Sequence, residues 1–160
     1  MSAEDKVILA IRVRGQVGVR PQIEDTMMKL RLGRLHQARV LKMTPSIQGM
    51  ITKSKDYITW GEVDVEVVER LLEKRGRLTG NKRVSDADIK ANSSYKTVKA
   101  FAKALATGEA STNDVQGLKP VFRLSPPRKG YNGKRTLPVG MGGITGYRGT
   151  GINELALKMI

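Results

Sequence analysis

The residues of this sequence best suited to do chemistry are lysines and arginines, and they concentrate between residues 115 and 153. That stretch has no Asp or Glu, and its seven basic residues are Lys119, Arg123, Arg128, Lys129, Lys134, Arg135 and Arg148. Ammonium and guanidinium groups bind phosphate oxygens, and the guanidinium group adds bidentate geometry and stacking. Unopposed positive charge of this density predicts a polyanion, most simply RNA, as the partner.

The same stretch is rich in residues that disfavour a packed core. It contains nine of the chain's 17 glycines and four of its six prolines. We therefore expect it to form no core of its own and to become ordered when a polyanion gathers it. The aromatic content of the chain is 4%, and the tyrosines of this stretch are Tyr131 and Tyr147, so base stacking is not expected to be the main means of RNA binding. Within this stretch, residues 125–135 are the segment most specifically predicted to bind RNA.

Little in the sequence supports catalysis. The single histidine, His36, excludes triads and metal clusters that need two imidazoles. Without cysteine there are no disulfides and no cysteine zinc sites. Residues 140–143 are glycine-rich, but they complete neither GxGxxG nor a P-loop, and no convincing strand precedes them. A small phosphate-handling enzyme stays as a weak alternative, one that would depend on His36 or on this loop.

Charge and length limit the class of protein. The 160 residues carry a net charge of +14, and the pI is near 10.3, which favours nucleic acid or an anionic membrane as partner. The longest apolar run, Val7 to Ile11, is too short to span a bilayer. Residues 1–5 are polar and acidic, which predicts no signal peptide. We expect a soluble intracellular protein that needs neither a membrane nor a cofactor or metal.

These basic residues need a scaffold, and the first part of the chain predicts one. Apolar residues alternate along a first strand, so that Val7, Leu9 and Ile11 point one way. The other face of that strand begins apolar and ends basic, at Arg12 and Arg14. Further apolar periodicity predicts the order strand–helix–strand–helix–strand. The strands are expected at 6–14, 38–43 and 57–60. The helices are expected at 21–32, with Gly33 as C-terminal cap, and from Thr44 onwards. An α+β fold follows, with helices on one face of a small sheet.

Three segments are expected in all. Residues 1–63 form the α+β core domain, and 64–116 form a helical extension with helices at 64–75, from Ser85 and around 98–105. Residues 117–160 form a basic Pro/Gly-rich RNA-binding extension that closes with a short helix from Gly151.

Two sets of residues resemble a known family. The first is IRVRG followed by HQARVLKMTPSIQGMITKSKDYITWGE, and the second is FRLSPPRKGYNGKR with the glycine-rich segment and short helix after it. Together they resemble the universal family of large-subunit ribosomal proteins numbered thirty in bacteria and seven in eukaryotes. Bacterial members stop near the third strand, and eukaryotic members carry a long basic N-terminal extension. The resemblance is therefore to the long archaeal form.

The resemblance implies a ferredoxin-like antiparallel sheet and a structural role without a reaction. The implied partners are large-subunit rRNA, in a position close to 5S rRNA, and other proteins of the large subunit in the cytoplasmic ribosome. No small-molecule substrate is implied. The alternative from another class is a free-standing RNA chaperone or non-specific RNA-binding protein, for which a mobile basic tail would be enough.

Candidate RNA-binding residues come from both lines of reasoning. The resemblance implies Arg14, Gly15, Arg34, His36, Thr44, Pro45, Gly49, Met50, Lys53, Pro126, Pro127, Arg128 and Gly130. Positive charge and position in the basic segments add Arg20, Lys55, Arg123, Lys129, Tyr131, Lys134 and Arg135. Gln48 stands where bacterial members commonly have a basic residue, so no ionic contact is expected there.

Overall fold

The computed structural model describes residues 6–160, and the prediction about a signal peptide concerns residues 1–5, which lie outside the described part. The main elements in chain order are β1 (Val7–Arg12), α1 (Pro21–Lys29), β2 (Gln37–Lys42), α2 (Pro45–Ser54), β3 (Ile58–Glu62), α3 (Val65–Arg75), α4 (Asp86–Asn92), α5 (Val98–Thr107), β4 (Phe122–Arg123), β5 (Lys134–Pro138), β6 (Gly143–Tyr147) and α6 (Gly151–Met159).

One sheet organises the molecule, with the strand order β4-β2-β1-β3-β6-β5. The central strand β1 is antiparallel to both neighbours, so that Leu9 lies opposite Val40 of β2 and Gly61 of β3. The predicted alternation along β1 is confirmed, because Leu9 and Ile8 belong to different core clusters on opposite faces.

Helices α1 and α2 cover one face of the sheet. Met27 and Leu30 of the α1 region and Ile51 of α2 pack with Ile8 and Ala10 of β1, and all five are at most 2% exposed. Pro21 is the first residue of α1, where its fixed φ suits a helix start and its missing N–H costs nothing. The predicted α+β fold class, a ferredoxin-like fold with an extension, is thereby confirmed.

The opposite face of the sheet is covered by the helices of the predicted extensions. Leu71 of α3, Phe101 of α5 and Ile152 of α6 are fully buried against the other side of β1, in the cluster that contains Leu9 and Ile11. Residues from all three predicted segments thus share one core cluster. Burial of this second apolar face explains why the helical extension is compatible with a small sheet.

The expectation that residues 115–153 become ordered only when a polyanion gathers them is wrong for two strands of that stretch. Phe122 of β4 pairs with Ala38 of β2, while Gly146 of β6 pairs with Thr59 of β3. Phe122 and Ile144 are both completely buried. Few large apolar residues are needed here, because the backbone hydrogen bonds of existing sheet edges order the incoming strands.

Helix α1 ends earlier than its sequence predicts. The last helical residue is Lys29, and Arg31 adopts the left-handed φ of +57° that the prediction assigned to a glycine cap. The N–H groups of Arg31 and Leu32 donate to the carbonyls of Met28 and Met27, which closes a Schellman motif. None of the helices in the described part of the chain combines the length and apolar character that crossing a bilayer needs.

Candidate nucleic-acid interface

An open groove of about 700 Å³ lies at the end of the sheet where β1 finishes and β2 starts. We call it the His36 groove. No Asp or Glu is among the residues that line it. The predicted candidates that it brings together are Arg14, Gly15, His36, Pro126, Pro127, Gly130, Tyr131 and Arg135. With Tyr57, four segments of the chain therefore contribute to one concave surface that no Asp or Glu lines.

The sheet fixes His36 at the centre of this groove. The His36 N–H donates to the Arg12 carbonyl at 2.9 Å, and its carbonyl accepts from the N–H of Leu124 at 3.1 Å. The residue has a φ of +62°, a left-handed conformation that few non-glycine residues adopt. Backbone bonds to both neighbouring chain segments hold it there, so the imidazole has a defined position.

The Tyr131 hydroxyl contacts the His36 ring across the groove. Tyr131 Oη lies 2.8 Å from His36 Nδ1, and the two rings are stacked with centroids 6.1 Å apart. Burial lowers the pKa of His36, and the nearby charge of Arg135 lowers that pKa further. Burial also raises the pKa of Tyr131 to about 12. Both side chains are thus uncharged at neutral pH, and arginines supply the positive charge of the groove.

Arg14 is placed by an aromatic ring. Its guanidinium carbon lies 4.8 Å from the centroid of the Tyr57 ring, and Nη1 donates to the Asp56 carbonyl at 3.3 Å. A cation–π contact of this kind fixes the plane of the guanidinium group. Because that group has five N–H donors, the arrangement leaves donors for phosphate oxygens.

Arg12, which was not among the predicted site residues, stabilises the backbone of the groove through buried hydrogen bonds. Its side chain is completely buried, and all five N–H donors have acceptors. Nε and Nη2 donate to the carbonyls of Arg14 and Gly15, Nη1 donates to the carbonyl of Leu32, and both Nη atoms contact the Glu24 carboxylate. Arg12 therefore ties the loop after β1 to α1 and positions the wall of the groove.

Predicted candidates on α2 lie outside the groove. Thr44 is the N-cap, and its hydroxyl accepts from the N–H of Ile47, so its side chain serves the helix. Thr44 and Pro45 follow β2 at the end of the sheet opposite the groove, because β2 runs from the groove end to the other end. The exposed candidates of this helix and its C-cap are Thr44, Pro45, Gly49, Lys53 and Lys55, while Met50 is half-buried.

The remaining candidates are scattered around the groove. Arg20 is the N-cap residue of α1, and Arg34 and Arg123 line two other clefts. Arg128, Lys129 and Lys134 belong to the segment 126–136, which contributes to the groove, but they are not among its lining residues. All three are exposed. The structure thus brings together part of the predicted set and leaves the rest on separate surfaces.

Sequence reasoning also missed Tyr57, which lines the groove and holds Arg14. The available signal was an aromatic residue at the start of the predicted third strand, within the motif that carries the resemblance. His36, Tyr57 and Tyr131 give the groove more aromatic surface than the low aromatic content predicts.

The structure gives no support to an enzyme site. Residues 139–142 connect β5 to β6, and a strand rather than a helix follows them, so the strand–loop–helix context of a phosphate loop is missing. The expectation that no strand precedes this loop is wrong, because β5 does. Within residues 6–160, no group of three His, Cys, Asp or Glu side chains could hold a metal ion.

Comparison with known proteins supports the resemblance seen in the sequence. The family described as Ribosomal protein L30p/L7e matches residues 8–58. The chain is 48% identical over 154 residues to the large ribosomal subunit protein uL30 of Methanobrevibacter smithii, covering 96% of this chain and 100% of that protein. It is 50% identical over 151 residues to uL30 of Methanosphaera stadtmanae, covering 94% and 97%.

The similarity extends to uL30 of Methanopyrus kandleri, with 46% identity over 149 residues that cover 92% of this chain and all of that protein. These relatives are archaeal, which confirms the predicted similarity to the long archaeal form. The family consists of structural proteins rather than enzymes, and the prediction of a non-enzyme is thereby confirmed. Since relatives close to half identical match this chain over nearly its whole length, it belongs to the ribosomal protein L30p/L7e family.

Proposed function

We propose that this chain, a structural constituent of the ribosome by its family, binds and stabilises large-subunit rRNA through phosphate contacts. Its place would be in the cytoplasmic ribosome, close to 5S rRNA and next to other proteins of the large subunit. Its relatives in Methanobrevibacter smithii and Methanosphaera stadtmanae are large ribosomal subunit proteins, which supports the assignment to that subunit.

The observation that carries the proposal is the His36 groove. It joins two arginines, Arg14 and Arg135, to the uncharged pair His36 and Tyr131 without any carboxylate in its lining. The arginines would hold phosphate oxygens, and the hydroxyl and imidazole would offer hydrogen bonds to ribose or base edges. Because the walls are already positioned by backbone bonds, little ordering cost opposes binding.

The candidates on α2 would extend the contact. Lys53 lies in the last turn, and Lys55 is the C-cap residue just before Tyr57, which lines the groove. Both lysines are exposed. RNA held in the groove could thus continue along the end of α2, and the protein would act as a clamp that neutralises the backbone from two sides.

The salt dependence of rRNA affinity tests this proposal. A variant with Arg14→Gln and Arg135→Gln should bind purified large-subunit rRNA more weakly. Its log–log salt slope should be flatter by about 0.7–0.9 for each lost phosphate contact. The matched control is Lys99→Gln with Lys103→Gln, which removes the same charge from exposed positions on α5. An unchanged slope in the groove variant, or equal losses in both variants, would overturn the proposal.

Two further measurements address the finer points. On a sucrose gradient at moderate salt the protein should sediment with large subunits, whereas a free-standing chaperone would stay near the top. Cross-linking in assembled subunits should give products with 5S rRNA or with nucleotides next to it. Cross-links confined to distant rRNA regions would contradict the proposed position.

A further inference from the structure

A second basic cleft lies on the β4 side of the sheet, and none of its lining residues lines the His36 groove. It has a volume of about 210 Å³, and its lining contains four cations and no carboxylate. The cations come from the end of α3, from the segment after it, from the segment before β4 and from β4 itself: Arg75, Arg77, Lys119 and Arg123.

Backbone contacts hold these like charges close together. The Lys119 N–H donates to the Arg77 carbonyl at 2.8 Å, and the neighbouring residues Leu78 and Leu118 form an antiparallel bridge. Arg123 is fixed by strand pairing with Gln37. Because no Asp or Glu lines the cleft, these like charges repel one another, and a bound anion would relieve that repulsion.

The cleft continues into a larger one. Val121 lines both the first cleft and a neighbouring cleft of about 620 Å³, in which Arg31 and Arg34 lie and which also has no carboxylate in its lining. The two clefts together form a continuous surface that we call the β4-edge band. The cations that line it are Lys29, Arg31, Arg34, Arg75, Arg77, Lys119 and Arg123.

We propose that the β4-edge band is a second RNA-backbone site that holds successive phosphates independently of the His36 groove. The proposal rests on the proposed function, since it assumes that RNA is the partner. Clefts lined by arginine fit phosphate groups, which accept bidentate hydrogen bonds from guanidinium. A protein partner that adds a strand is a poorer fit, because β4 has only two residues to pair with.

Footprinting and salt titration with purified large-subunit rRNA test the band. The variant replaces Arg77, Lys119 and Arg123 by Gln and keeps Arg75, which donates to the main-chain oxygen of Ile160 and to the Ser125 hydroxyl, both at 2.7 Å. We expect it to lose hydroxyl-radical protection at one set of nucleotides while the set that depends on Arg14 and Arg135 persists. Its salt slope should be flatter by about 0.7–0.9 per lost contact.

A second variant guards against loss of folding in the first. Arg31→Asn with Arg34→Gln changes two exposed residues at the other part of the band, and asparagine tolerates the left-handed φ of Arg31. It should lose protections adjacent to those lost by the first variant. Circular dichroism and thermal melting would show that each variant is folded.

The outcomes separate the two proposals. If both band variants keep every protection and the full slope while the groove variant loses its own, the band proposal is wrong and the proposed function stands. If the unchanged protein gives no specific protection, the proposed function itself fails. If the band variants protect rRNA normally but lose cross-links to a neighbouring ribosomal protein, the band is a protein-binding surface and the RNA proposal is overturned.

Discussion

Arg12 allows a sharp test of how the groove is supported. Its side chain is completely buried, whereas that of its partner Glu24 is 29% exposed. Removing one member of a buried ion pair costs about 3–5 kcal/mol, because the other charge is left without compensation. Water can reach the carboxylate of Glu24, so for Arg12→Met we expect the lower end, about 3 kcal/mol. A chain of this size should then melt about 6–12 °C lower.

The assay is urea denaturation combined with thermal melting. A double-mutant cycle of Arg12→Met and Glu24→Gln separates the ion pair from the bonds that Arg12 makes to the carbonyls of Arg14, Gly15 and Leu32. In Glu24→Gln those carbonyl bonds persist, but the completely buried guanidinium of Arg12 loses its counter-charge, so that variant should also lose stability. The coupling energy of the cycle then reports the ion pair itself.

The control is Lys29→Met, which breaks an exposed ion pair with Asp25 on α1 and should leave the melting temperature unchanged within error. If Arg12→Met lies within about 1 kcal/mol of the unchanged protein, its buried donors do not stabilise the fold as argued, given the cost expected for an unpaired buried charge. The same variant should also weaken rRNA binding, since the groove wall loses its tie to α1.

Further predictions concern the titration of His36 and the substitution of two glycines. Because the pKa of His36 is lowered in the folded state, the unfolding free energy should fall as the pH drops below about 6.5 and level off below that lowered pKa. Urea titrations of His36→Asn, in which asparagine tolerates the left-handed φ, should show a smaller fall in unfolding free energy over this pH range. A fall as large as that of the unchanged protein would show that another group titrates. In Gly61→Ala the added Cβ would lie 1.9 Å from the Gly149 carbonyl, so β3 must shift at a cost of roughly 1–3 kcal/mol. In Gly49→Ala the added Cβ on α2 has no atom within 4 Å, so this variant should instead stabilise the fold by about 0.5–1 kcal/mol in the same assay. If Gly61→Ala were more stable than Gly49→Ala, both predictions would be contradicted.

The central strands could be predicted from the sequence because their signal is local. Alternation along β1 gave both faces correctly, and the apolar positions of α3 and α5 predicted the helices that cover one of them. Helix α4 starts as predicted after Ser85, whose hydroxyl accepts from the N–H of Asp88 in a capping box. Such signals depend on neighbours within a few residues.

Strands β4 and β6 could not be predicted, because they form only by pairing with strands that are distant in sequence. β4 has two residues, and β6 contains two glycines among its five, so neither shows an alternating pattern. The groove could not be predicted for the same reason. His36 and Tyr131 are 95 residues apart in sequence, and only the folded sheet brings them into contact. Arg12 was read as the basic end of a strand face, yet folding buries it beside Glu24.

The strand order has a consequence for the chain while it is being synthesised. Strands β1, β2 and β3 are complete by Glu62, but the strands that cover the outer edges of β2 and β3 are β4, from Phe122, and β6, which ends at Tyr147. At about 5–20 residues per second, the nascent sheet waits about 4–17 s for its last neighbour. During that time two unpaired edges are open to other chains. Arg39 and Lys42 on β2 then act as gatekeepers, since charged side chains discourage edge-to-edge pairing until β4 arrives.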